Sequence, residues 1–84
     1  MLKIFKIPLV LEPQEEGGWT ITSPVLPELI TEIDKLEELQ ETVGDAIKAV
    51  IELYADMKKD LPAGLTADGI KSPVWFESLI PAEL

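Results

Sequence analysis

Carboxylates are the only abundant chemistry-bearing groups in this 84-residue chain, which has sixteen of them. A metal-assisted nuclease needs several converging carboxylates to hold two divalent ions about 3.5–4 Å apart. Their placement argues against such a cluster. Glu15 and Glu16 stand beside Gly17 and Gly18 at what reads as a turn, Glu32 and Glu77 are isolated on candidate strands, and the stretch 7–9 carries none. Glu37, Glu38, Glu41, Asp45, Glu52 and Asp56 follow helical spacing. They read as a solvated helix face, with docking of a basic partner as the alternative. Histidine, cysteine and arginine are all absent. That removes Ser-His and Cys-His nucleophiles, the common zinc sites and the planar fork that reads guanine and clamps phosphate. Ser23, Ser72 and Ser78 therefore have no imidazole to activate them, and only a Ser-Lys arrangement stays open. No glycine-rich phosphate loop precedes the helical segment. The expectation is a protein without catalytic residues, metal or cofactor.

The same inventory bounds the partners. Seven basic residues, all lysine, leave a formal charge of −9. Such a surface repels polyphosphate, so direct nucleic-acid binding is not expected, whereas a basic protein would be attracted. A chain of this length forms one domain with one modest core, and self-association is a natural supplement to its stability. Lys3 and Lys6 interrupt the apolar start, and no run approaches the roughly 18 apolar residues of a membrane span. A cytoplasmic protein with no membrane contact is expected.

The elements that would position these residues follow from periodicity. Segment 3–12 reads as a strand with Phe5, Ile7, Leu9 and Leu11 on one face, and with Pro8 forcing an edge or a bulge. A turn at 13–18 leads to a second strand, where Trp19 and Ile21 point to the core. Pro24 and Pro27 bracket a tight irregular link before a third strand at 29–33. A helix is predicted over 35–60, capped by Asp34 with Glu37. Its apolar stripe is Leu36, Leu39, Val43, Ala46/Ile47, Val50, Leu53/Tyr54 and Met57, and Pro62 and Gly64 stop it. Gly44 inside the helix suggests close packing on the sheet. After a loop at 61–72, the β-prone segment 73–81 predicts a fourth strand parallel to the third. Trp75 and Phe76 would then point to opposite faces.

In this order and spacing, the residues resemble the HicB-like antitoxin domain family. The resemblance rests on Glu15-Glu16-Gly17-Gly18-Trp19, then Ser23-Pro24-Val25-Leu26-Pro27, then the helix entry from Ile30 through Asp34 to Leu39, and Ala46-Ile47 with the stripe to Tyr54. It covers residues 3–60. It implies an α+β fold of partial ribonuclease-H-like β-β-β-α-β type, with a three-stranded antiparallel sheet, one long helix and a fourth strand. It further implies an antitoxin that neutralises a small basic ribonuclease toxin of the HicA kind. Many members add a C-terminal DNA-binding module. Here only twenty residues follow Gly64, so a short form without that module is expected, and Glu28 stands where the family link usually has Gly.

One helix covers one sheet face. The other face would carry Ile4, Lys6, Val10, Thr20 and Thr22, joined by one of the adjacent aromatics, Trp75. These six are the candidate residues for toxin docking or for homo-oligomerisation into a dimer or tetramer. A half-solvated sheet surface is the competing reading. An orphan homo-oligomeric domain without a toxin, and a small hydrolase or metal-assisted nuclease, are the alternative functions.

Overall fold

The structure, a computed structural model, describes residues 3–66, 71, 73–75 and 77–84. Its chain runs β1 (Val10–Pro13), β2 (Trp19–Thr22), β3 (Ile30–Ile33), a 3-10 turn (Leu36–Glu38) and α1 (Leu39–Asp56). The strands form one antiparallel meander in the order β1-β2-β3, so the α+β class is the one expected. Register follows the hydrophobic pattern. Leu11 pairs with Ile21, and Ile21 with Thr31, while Pro13, Trp19 and Ile33 form the next row on that same face. Ile21 is fully buried and Ile33 nearly so. The even-numbered residues line the opposite face.

The first strand is shorter than its alternation predicts. Phe5, Ile7 and Leu9 keep the alternate burial of a strand and pack against the core, but the ladder begins only at Val10. Pro8 explains the break, because it has no N–H to donate. Upstream of it the backbone instead meets the segment after the helix: the Lys6 amide donates to the Leu65 carbonyl, and Phe5 bridges Thr66.

The hairpin closes with the Gln14 amide donating to the Gly18 carbonyl (3.0 Å), through Gly17 and Gly18 at φ +99° and +81°. Gly18 also lies against β3, where an added Cβ would stand 2.7 Å from the Ile33 carbonyl oxygen.

Both ends of the helix differ from expectation. The chain enters α1 through a 3-10 turn, so the carboxylate that reaches back belongs to Glu38 rather than Glu37. Its Oε1 accepts from the amides of Lys35 (2.8 Å) and Asp34 (3.1 Å). At the other end α1 stops at Asp56, well before Pro62. Lys58 takes the left-handed conformation at φ +53°, with its amide on the Ala55 carbonyl and the Lys59 amide on that of Tyr54. That pair of bonds is the Schellman closure usually made with glycine.

The inner helix face buries Val50 and Tyr54 and half-buries Ala46 and Ile47, whereas Leu53 and Met57 are exposed, against the expected stripe. Gly44 does not mark a close approach, since nothing lies within 4 Å of a Cβ built there. The fourth strand expected over 73–81 is not found: residues 73–75 and 77–81 carry no strand, and Phe76 lies outside the described residues. A β-prone segment becomes a strand only beside an accepting edge, and Pro73 and Pro81 remove donors at both of its ends.

These backbone findings rank three substitutions in one urea-denaturation series. Gly18→Ala should lower stability by about 2 kcal/mol, from positive φ and the close carbonyl. Gly44→Ala should raise it by about 1 kcal/mol, because the site is helical and open. Lys58→Gly should raise it by about 0.5–1 kcal/mol by relieving the left-handed residue.

Candidate protein–protein interface

Two surfaces are left open by this architecture. The first is the outer sheet face. Val10, Thr22 and Ile30 form one directly opposed row across the three strands, and Glu12, Thr20 and Glu32 form the next. The face therefore has an apolar half, with Ile30 at 68% exposure, and an acidic half. Gln14 braces the acidic half, its Nε2 donating to Thr20 Oγ1 (2.7 Å) and Glu32 Oε1 (3.0 Å).

The second surface is an open groove of about 890 Å³ between the N-terminal segment and α1. Phe5, Ile7, Leu9 and Leu11 line it from the N-terminal segment and β1, and Leu39, Val43, Gly44 and Ile47 from α1, with residues 77–79 also in its lining. The smaller cleft next to it is lined by Leu36, Glu37 and residues 79–81.

The six sequence-derived candidates divide among different places. Val10, Thr20 and Thr22 share the outer sheet face. Ile4 and Lys6 are exposed but lie upstream of β1, outside the ladder, because Pro8 interrupts it. Trp75, at 92% exposure, stands in a stretch that belongs to neither sheet nor helix. Sequence reasoning missed Ile30 as an outward residue, although the alternation of β3 could have placed it beside Thr22 once the register was known. It also missed the groove, since Leu39, Val43 and Ile47 have the spacing of ordinary core.

Glu28 has a specific task. Tyr54 Oη donates to Glu28 Oε1 at 2.6 Å, and Lys59 Nζ sits 5.0 Å from the Tyr54 ring centre. The bond ties the β2–β3 link to the end of α1. It lowers the Glu28 carboxyl below its ordinary 4.5, with its own amide and the Lys59 charge adding to the effect. The same bond, joined by desolvation and by the Glu28 charge, raises the Tyr54 phenol above 10.0. Among the described residues, no group of three or more carboxylates is placed to hold a metal ion. Ser23 is buried, and its Oγ accepts from the Val25 amide at 3.3 Å.

Comparison with known proteins gives this surface a context. Over 59 residues, 70% of this chain and 80% of the relative, the sequence is 37% identical to a UPF0150 protein of Archaeoglobus fulgidus. Over 62 residues, 74% of this chain, it is 36% identical to Antitoxin HicB 1 of Photorhabdus laumondii. The chain belongs to the HicB-like antitoxin family. It spans 40% of the length of the Photorhabdus relative, and no family model matches it. In this HicB-like domain, the β2–β3 link thus carries a carboxylate, Glu28, bonded to a helix tyrosine.

The Tyr54–Glu28 bond predicts a pH window. A depressed carboxyl stabilises the fold above its unfolded value of 4.5 and loses that contribution as pH falls through the folded value. A raised phenol stabilises below 10.0 and loses it as pH rises through the folded value. The stability gap between the native chain and Tyr54→Phe should be widest between those limits. It should shrink in acid, as read by urea midpoints at neutral pH and below pH 4.5.

Proposed function

We propose that this HicB-like domain is a non-enzymatic, cytoplasmic antitoxin that neutralises a small basic ribonuclease toxin of the HicA kind. The observation that carries this reading is the 36% identity, over 62 residues, with a protein named Antitoxin HicB 1. The charge of −9 supports it, since a basic toxin is drawn to an acidic surface at rates that fall with salt. So does the outer sheet face. Its acidic row of Glu12, Thr20 and Glu32 offers carboxylates to lysine or arginine, while Val10, Thr22 and Ile30 supply apolar contact. Docking there would occlude the toxin's RNA-binding surface or its catalytic histidine. The chemistry would then reside in the partner. Operator binding is not part of this proposed role, because the 84 residues contain no arginine and repel polyphosphate.

The second reading is a homo-oligomeric HicB-like domain without a toxin, favoured by the exposed apolar side chains of Trp75 and Ile80. Co-expression with a basic HicA-type ribonuclease separates the two. The antitoxin reading expects co-purification and relief of growth arrest, with both weakened about tenfold or more by Glu32→Lys, which places like charges across the interface. Absence of a complex together with persistent growth arrest would sink it.

A further inference from the structure

We propose that the outer edge of β3 is a strand-docking site. A basic protein partner adds a strand to the sheet there, with a cationic side chain opposite Glu32 and an apolar one opposite Ile30. The partner's identity rests on the antitoxin reading above.

The sheet has two edges, and they differ. The edge at β1 is blunted: Pro8 and Pro13 have no N–H to offer, and the backbone at Phe5 and Lys6 is already engaged with Thr66 and Leu65. The edge at β3 carries no proline from Glu28 to Ile33. β3 pairs with β2 on one side, and among the described residues no strand lies on the other.

The hairpin sets the phase of the ladder. The Gln14 amide donates to the Gly18 carbonyl, so hydrogen-bonded pairs recur at every second position, Glu12 with Thr20 and Val10 with Thr22. The backbone groups of Trp19 and Ile21 then turn the other way, toward Ile33 and Thr31. By the same alternation, the N–H and C=O of Ile30 and Glu32 point away from the sheet. The next donor in that series, the Asp34 amide, is taken by the Glu38 carboxylate at 3.1 Å. Among the described residues, no backbone hydrogen bond outside the ladder reaches residues 30–33. Ile30 and Glu32 thus present two donors and two acceptors, the template that an added strand requires.

Side chains select the occupant. Ile30, at 68% exposure, and Glu32 end the apolar and acidic rows of the outer face at this edge. A fourth strand extends both rows. Its residues two apart on that face, one apolar and one basic, meet Ile30 and Glu32 as cross-strand pairs. Gln14 holds one Glu32 oxygen in place for that contact. A second copy of this chain is a poor occupant, since pairing β3 with itself sets Glu28, Glu32 and Asp34 against the same acids. Charge complementarity therefore favours a basic strand.

The test reads amide hydrogen exchange residue by residue, by NMR, on the whole chain alone and in complex with a basic HicA-type ribonuclease. In the chain alone, Thr31 and Ile33 should be protected while Ile30 and Glu32 exchange freely. In the complex, the Ile30 and Glu32 amides should slow by about a hundredfold or more. Affinity supplies a second arm. Ile30→Pro removes an outward N–H that β2 does not use, and should raise the Kd for the ribonuclease about tenfold with circular dichroism unchanged. Ile30→Val keeps that N–H and should stay within about twofold. A complex that leaves the Ile30 and Glu32 amides unprotected, or that is indifferent to Ile30→Pro, would overturn strand docking while the antitoxin reading stands. Protection of the two amides in the chain alone as its concentration rises would also overturn it, by assigning the edge to a second copy. Failure to form any complex would overturn both readings.

Discussion

Leu26 and Leu29 form the buried centre against which the second half of α1 and the N-terminal segment pack, and the fold depends on that plug. Both come from the proline-bracketed link between β2 and β3, and both are almost wholly buried against Val50, Tyr54 and Leu65. Such side chains contribute about 1.5–3 kcal/mol each on burial, a large share of the stability of a domain this small. The link can enter the core because its polar groups are provided for. The Leu29 amide donates to the Leu26 carbonyl at 2.9 Å, and the Ser23 hydroxyl takes the Val25 amide. Glu28, at the surface of the plug, accepts from Tyr54 and fastens the link to the helix.

A core closed on one side by one helix leaves the remaining surfaces to solvent or to partners. The two open surfaces differ in chemistry. The outer sheet face pairs an apolar row with an acidic row. The groove is lined mainly by apolar side chains of the N-terminal segment and α1.

Much of the architecture was legible in the sequence because it is local. The alternation Trp19-Thr20-Ile21-Thr22 sets which side chains face inward, and the paired glycines 17 and 18 mark the hairpin. What was misread depends on contacts across the chain. Segment 73–81 has the composition of a strand, yet composition does not provide an edge to pair with. Gly44 looked like a packing glycine, but its surroundings are open, which only three-dimensional neighbours reveal. The true helix end was hidden in Lys58, whose type carries no signal for a left-handed residue.

By itself, the sequence determined the class of fold, the absence of imidazole, thiol and guanidinium chemistry, the acidic field and the family likeness. All of these are sums over residue types or short periods, and they survive any detail of packing. Tertiary structure alone decided that Leu26 and Leu29 are core, that Glu28 bonds Tyr54 twenty-six residues away, and that Ile30 joins Val10 and Thr22 in one row. It also decided that the helix and the N-terminal segment leave a groove between them. The physical reason is that register and packing depend on distances between residues remote in sequence, and no local pattern encodes those distances.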